Sequence, residues 1–254
     1  AKFKPKALIT VDLYGNSCDY EALSHLCGKN NIHLIEDSAE ALGSEYKSLK
    51  LGSFGSLSIL SFNGNKIITT SGGGMILSNN EKLIQRSSHF ANQSREPVIH
   101  YEHKDLGYNY RLSNLLAALG YGQMLKLDDF VNKRRIVFDR YYNSLSQKKG
   151  INFIKESKNC KSNRWLTTLL IEEKKAGVNR DEIINVLEKN NIESRPVWKP
   201  MHLQPLYKDS HYVHKSGEDI SAHLFKNGLC LPSSPYLSTD DQNKIIDIIS
   251  KLIR

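Results

Sequence analysis

The sequence predicts an α/β protein: a mainly parallel sheet with crossover helices, followed by a smaller C-terminal α+β section. Three observations carry this. The apolar runs Ala7-Leu8-Ile9-Thr10-Val11 and Ile32-His33-Leu34-Ile35 flank a helical stretch, as in a parallel strand–helix–strand unit. Two apolar runs lead into ionisable residues: Ile32–Ile35 runs into Glu36-Asp37, and Leu57-Ser58-Ile59-Leu60 is followed by Lys66. A long apolar stripe at helical spacing, from Leu112 to Leu145, separates this part from a second set of elements.

The elements follow in order. Asp19 can cap a helix through Leu26, with Gly28 to Asn31 ending it. Met75-Ile76-Leu77 reads as a further strand after the tract Ser71-Gly72-Gly73-Gly74. The Leu112–Leu145 stripe reads as one long bridging helix, open to interruption at Gly120 and Gly122. Trp165 to Ile171 reads as a strand and Arg180 to Lys189 as an amphipathic helix. A last helix starts near Thr239, where Thr239 and Gln242 resemble a capping box, and buries Ile245, Ile248, Ile249 and Leu252. The expected divisions are residues 1–111 for the sheet domain, 112–147 for the bridging helix and 148–254 for the small domain.

Composition excludes some classes. No apolar stretch is long enough to cross a membrane, and no signal-peptide pattern opens the chain. Cys18, Cys27, Cys160 and Cys230 show no CxxC spacing and read as reduced thiols of a cytoplasmic protein. The formal net charge is +8, but the basic residues are dispersed among acids. The densest groups, such as Lys2 with Lys4 and Lys6, are short, which argues against a dedicated nucleic-acid surface. His100 with His103, and His211 with His214, have helical metal-ligand spacing, but no suitable third ligand follows; we expect no metal site.

The chemistry concentrates at Asp37 and Lys66. Ligands of parallel α/β sheets bind beyond the carboxyl ends of the strands, where both residues lie. A lysine beside glycine-only backbone, together with an acid on the same sheet, suits pyridoxal phosphate. The lysine forms the Schiff base, and the carboxylate keeps the pyridine nitrogen protonated. Asp37 also has the position of a common helix N-cap.

Five segments then resemble one family: Asp12 to Asn16, Glu36 to Ser44, Ser61 to Gly74, Gly107 to Arg111, and Arg195 to His202. Together they resemble the sugar-nucleotide aminotransferases of the DegT/DnrJ/StrS group. Asn63 to Lys66 and Ser162 to Trp165 resemble the bacillosamine-type branch in particular. The resemblance implies fold type I, the aspartate-aminotransferase fold. It implies Lys66 as the cofactor lysine and proton carrier, Asp37 at the pyridine nitrogen, and Ser61 at the phosphate. Asn109 would reach the phosphate of a neighbouring subunit in a homodimer with shared active sites.

Glu40 is placed at the cofactor, with its protonation open. Arg111 is either structural or substrate-binding, and His202 is either a substrate-loop histidine or a surface one. The activity implied is transfer of an amino group from an amino acid, L-glutamate, to a UDP-linked 4-keto-6-deoxy-N-acetylhexosamine. Dehydratases of this fold replace the lysine with histidine, so Lys66 argues against that alternative. Lys66 with Asp37 argues against a non-catalytic protein of the same fold. The family also has an N-terminal segment preceding the part matched here, so residues 1–111 would be the C-terminal part of the large domain.

Overall fold

The computed structural model describes residues 4–215 and 217–253; Lys2 of the N-terminal basic group lies outside them. The chain forms two compact units, Ala1–Asn132 with Glu156–Trp165, and Lys133–Lys155 with Leu166–Arg254. The division therefore falls inside the helical region read as a bridge at 112–147, and residues 156–165 return to the first unit.

In the first unit, β1 (Ala7–Val11), α1 (Tyr20–Asn30) and β2 (His33–Asp37) form the expected parallel unit, with Val11 in register with Asp37. Asp19 Oδ1 accepts from the Ala22 amide at 3.2 Å and caps α1. The helix runs four residues beyond Leu26, because Gly28 stays helical and Asn31 takes the left-handed cap at φ 53°. After the short strands β3 (Glu45–Tyr46) and β4 (Leu49–Lys50), β5 (Leu57–Ser61) lies parallel to β2, with Ile59 opposite Asp37. β6 (Gly74–Leu77) closes the sheet antiparallel to β5, with Gly74 opposite Ser61.

That antiparallel return makes residues 62–73 a closed loop. Phe62 N donates to Gly73 O at 3.0 Å, and Thr70 N donates to Phe62 O at 2.9 Å. Two glycines are needed at its exit. Gly73 has φ +93°, and a Cβ on Gly74 would lie 2.4 Å from the Leu60 carbonyl oxygen. The tract read as backbone freedom beside the cofactor thus also serves strand pairing. Tyr20, Cys27, Leu34, Ala41, Tyr46 and Leu51 pack as a core on one side of the sheet.

α2 (Glu81–Ala91) follows, and then two helices stand where one was expected: α3 (Asn114–Met124) and α4 (Leu127–Leu145). The break is at Leu125-Lys126, not at the glycines. A Cβ on Gly120 would come within 2.8 Å of Thr70 Cγ2, so this glycine permits close packing inside a continuous helix. Asp128 and Asp129 sit in the first turn of α4, where the helix dipole favours negative charge.

The second unit holds an antiparallel sheet. Its strands are β7 (Ile151–Phe153), β9 (Thr167–Ile171), β10 (Arg195–Pro196) and β11 (Gly228–Leu231), in the order β10-β11-β9-β7. The intervening β8 (Cys160–Lys161) pairs with β3 in the first unit. Around the sheet lie α5 (Glu173–Ala176), α6 (Arg180–Lys189), α7 (Ile220–Asn227) and α8 (Thr239–Leu252). Leu169, Ile171, Ile183, Leu187, Leu229 and Ile249 are fully or almost fully buried in its core.

α6 has the bounds read from its periodicity, and a capping box from Asn179 and Glu182. The capping box expected at Thr239 and Gln242 is corrected by one residue. Ser238 is the cap, its Oγ accepting from Asp241 N at 3.1 Å. Gln242 is buried and donates to the Val137 carbonyl at 2.7 Å, a core contact that takes it away from the helix start. The strand expected from Trp165 begins at Thr167, because Trp165 belongs to the first unit.

Candidate active site

The end of β2 supplies Asp37, the turn after it supplies Glu40, and the loop after β5 supplies Lys66. The chain turns at the end of β2 as Ser38 N donates to Ile59 O at 3.0 Å. Asp37 Oδ1 accepts from Ala39 N at 3.1 Å, while Oδ2 accepts no hydrogen bond among the described residues. Lys66 Nζ lies 3.7 Å from Glu40 Oε1, and both side chains are largely buried, at 13% and 12% exposure. Burial pushes the Lys66 ammonium below its usual range, and the charges of Glu40 and Asp37 oppose this. A lysine so placed has more of the neutral, nucleophilic amine than a surface lysine.

Two residues that sequence reasoning did not place in the site hold this arrangement. The face of Trp165, itself 1% exposed, carries Lys66 Nζ at 4.1 Å from the ring centroid. Its Nε1–H donates to the carbonyl of Asn65 at 2.8 Å, fixing the backbone next to the lysine. Tyr14 stacks on Trp165 with centroids 6.3 Å apart, and its amide donates to Glu40 Oε2 at 2.7 Å. Tyr14 occupies the left-handed region at φ 56°, a conformation an aromatic residue holds only when its surroundings fix it. Asn163 supports the same cluster. Its Nδ2 donates to the carbonyls of Glu40 and Leu42, both at 2.9 Å, and its Oδ1 accepts from Trp165 N at 2.9 Å. Sequence offered only a faint sign of this: a tryptophan directly after the polar run Ser162-Asn163-Arg164.

A second layer lies behind Asp37. Glu36 and Asp12 are both fully buried. Glu36 accepts from the amides of Gly52, Phe54 and Gly55 and from the hydroxyls of Ser38 and Ser58. Asp12 Oδ1 accepts from Tyr20 OH at 2.7 Å and from Cys18 N at 3.3 Å; its Oδ2 meets Ser38 Oγ at 2.7 Å. Burial pushes the Asp12 carboxyl up to about 6, helped by the nearby charge of Glu36 and opposed by its hydrogen bonds.

The remaining site residues are distributed. Ser61 ends β5, and its Oγ accepts from Asn63 N at 3.4 Å. Asn109 is exposed and its backbone bridges to Asn92. Arg111 is exposed and donates to Ser88 Oγ on α2 at 3.2 Å. Neither contacts Lys66, Asp37 or Glu40 through a hydrogen bond or ion pair among the described residues. His202 belongs to the second unit, with Nε2 2.7 Å from Asp219 Oδ2 and its ring stacked on Tyr212 at 3.7 Å. Asp219 lies well below the usual carboxylate range, chiefly because it accepts from the Ala222 amide and, more weakly, from Ser221, His202 and Tyr212. Among the described residues no cluster of three or more His, Cys, Asp or Glu could hold a metal ion, and no helix is long and apolar enough to cross a membrane. None of the four cysteines forms a disulfide.

The donor set suits pyridoxal phosphate: a desolvated amine on Lys66, an available acceptor at Asp37 Oδ2, and a hydroxyl on Ser61 at the end of β5. Comparison with known proteins agrees. Residues 2–250 match the model of the DegT/DnrJ/EryC1/StrS aminotransferase family. EpsN of Bacillus subtilis (strain 168), whose name assigns it to the pyridoxal phosphate-dependent aminotransferases, is 45% identical over 98% of this chain and 63% of its own length. GDP-perosamine synthase of Escherichia coli O157:H7 is 38% identical, over 98% of this chain and 66% of its own length. UDP-4-amino-4,6-dideoxy-N-acetyl-beta-L-altrosamine transaminase of Campylobacter jejuni (strain 81-176) is 32% identical, over 97% and 65%. The chain thus spans about two thirds or less of the length of these relatives.

A crystal structure of a DegT DnrJ EryC1 StrS aminotransferase from Brucella abortus superposes with TM-score 0.86 at 28% identity, covering 98% of this chain and 65% of that one. The fold is that of the type I pyridoxal phosphate enzymes. The chain belongs to the DegT/DnrJ/EryC1/StrS aminotransferase family.

Proposed function

We propose that this protein is a pyridoxal phosphate-dependent sugar-nucleotide aminotransferase of the cytoplasm. It takes an amino group from an amino acid, L-glutamate, and gives it to a UDP-linked 4-keto-6-deoxy-N-acetylhexosamine for glycan biosynthesis. The observation that carries this is Lys66, desolvated against Trp165 and facing Glu40 beside Asp37. When bound, the cofactor supplies an electron-withdrawing ring that makes the carbon attached to the amino nitrogen acidic.

The chain's own residues do the rest. Lys66 Nζ would hold the cofactor through its amine and, when free, would move a proton between the cofactor's C4' carbon and the carbon that bears the sugar nitrogen. Asp37 Oδ2 would accept from the protonated pyridine nitrogen. Ser61 Oγ donates to the phosphate, with Asn109 of a second copy reaching it across a homodimer. Glu40, oriented by the Tyr14 amide, would face the cofactor's phenolic oxygen. Arg111 and His202 contact the substrate. The exposed apolar side chains of Leu106, Tyr110, Leu115 and Tyr121, each at least 71% exposed, support a second copy as partner.

The UDP-linked acceptor rests on the bacillosamine-type motifs and on the Campylobacter relative. The higher identity to GDP-perosamine synthase favours a GDP-linked keto-sugar as the second reading. The test is a half-reaction. Protein loaded with cofactor is converted to the amino form with glutamate, and each keto-sugar is added while the absorbance of the aldehyde form is followed. Faster recovery with the UDP-linked sugar supports the first reading, faster recovery with the GDP-linked sugar supports the second, and no recovery with any keto-sugar contradicts the aminotransferase.

A further inference from the structure

We propose that Asp12 and Glu36 share one proton through the Ser38 hydroxyl, and that this bridge is the positioning device that aims Asp37 and Glu40. Its second half rests on the function proposed above. The inference comes from counting hydrogens. Ser38 Oγ lies 2.7 Å from Asp12 Oδ2 and 3.0 Å from Glu36 Oε1. A hydroxyl donates one proton and accepts others. It can donate to one of these oxygens only, so the second contact requires a proton on the other carboxyl. Without it, two buried oxygens of like charge would face each other across one donor.

The proton belongs on Asp12. Glu36 already accepts from three backbone amides and from Ser58, and these amides cannot reverse their direction. Among the described residues Asp12 Oδ2 has Ser38 as its one hydrogen-bond partner, while Oδ1 takes the donors Tyr20 OH and Cys18 N. The chain of donors then runs from Asp12 Oδ2–H to Ser38 Oγ–H to Glu36 Oε1. The titratable groups facing Asp12 are Glu36 on β2, Tyr20 on α1 and Cys18 before it, with Cys160 on β8 also within its field. Burial pushes Cys18 up to about 11 and Tyr20 higher still, so neither titrates near Asp12, whose own midpoint is about 6.

The position of the bridge gives it consequence. Ser38 is the residue between Asp37 and Ala39, whose amide orients the Asp37 carboxylate. Asp12 is bonded to the same turn through its amide, which donates to Asp37 O at 3.0 Å. Holding the Ser38 side chain therefore fixes the bend from which both Asp37 and Glu40 project. Losing the proton leaves Ser38 able to satisfy one carboxylate only and loosens that bend.

The test uses infrared spectroscopy and variants of the whole protein. The folded wild type should show the carbonyl stretch of a protonated, buried carboxyl that disappears on alkalinisation with a midpoint near 6. Asp12→Asn, whose amide can donate to Ser38 in place of the carboxyl proton, should remove that band and keep the fold. Asp12 is a raised carboxyl, so the wild type should lose thermal stability as pH rises between 3.8 and about 6, whereas Asp12→Asn should not. These readouts need neither cofactor nor substrate, so their failure is distinct from failure of the aminotransferase reading. Absence of the band, its survival in Asp12→Asn, or an Asp12→Asn protein as unstable as Asp12→Ala would overturn the shared proton. For the positioning role, measured below pH 6 where Asp12 keeps its proton, Ser38→Ala and Asp12→Ala should slow the half-reaction more than Asp12→Asn does. A Ser38→Ala protein reacting at the wild-type rate would overturn that role.

Discussion

At the scale of single residues, the site is built by opposing terms on one amine. Burial disfavours the ammonium of Lys66, while Glu40, Asp37 and the face of Trp165 favour it. Trp165→Phe keeps an aromatic face but removes the indole donor to Asn65 O. It should cost about 1 kcal/mol in thermal or denaturant unfolding and reduce turnover, because the backbone beside the lysine loses its anchor. Unfolding and turnover both equal to wild type would show that the indole hydrogen bond is idle. Asp37→Asn should still bind cofactor yet slow the half-reaction by orders of magnitude, since in the proposed function this carboxylate keeps the ring nitrogen protonated. Near-normal turnover in Asp37→Asn would give the carboxylate another role.

Lys66 and Asp37 were legible in the sequence because each follows an apolar strand directly or after a short turn. Trp165 and Tyr14 were not, because they reach the lysine through tertiary contacts; the Trp165–Asn65 bond spans 100 residues. Asn109, Arg111 and His202 came from family resemblance; among the described residues neither Asn109 nor Arg111 is joined to Lys66 by a hydrogen bond or ion pair, and His202 belongs to the second unit.

At the scale of elements, local chemistry decided what the sequence could tell. The bounds of α6 were legible because a capping box and an amphipathic period coincide there. The start of α8 at Thr239 was legible, but its cap was misplaced by one residue, because Gln242 mimics a capping residue while serving the core. Ser238→Ala should destabilise the protein by about 1 kcal/mol in chemical unfolding, whereas Thr239→Ala should leave the cap bond intact. A larger loss from Thr239→Ala would restore the cap read from sequence. The apolar stripe from Leu112 to Leu145 resumes in phase at Leu127, and the interruption it left open was read at Gly120 and Gly122, so it did not show the break at Leu125-Lys126. The direction of β6 was equally hidden, since a strand's composition does not encode the sense of its pairing.

At the scale of the whole molecule, the proposed working unit is a symmetric dimer with sites drawn from both copies. The exposed apolar helix α3, with no buried residue of its own, is the surface that such pairing would cover. Mixing Asn109→Ala with Lys66→Ala protein tests this. Each homodimer should be impaired, and heterodimers should regain activity from the one site that carries neither change. Verified heterodimers without recovery would place Asn109 in the site of its own chain.

The central claim is that Lys66 is the residue that holds pyridoxal phosphate, and covalent trapping tests it most directly. The protein is saturated with the cofactor, reduced with borohydride, digested and analysed by peptide mass spectrometry. The account predicts a phosphopyridoxyl group on the peptide containing Lys66, and none when Lys66 is replaced by alanine. A label on a different lysine, or folded and saturated protein that carries no label, would contradict it.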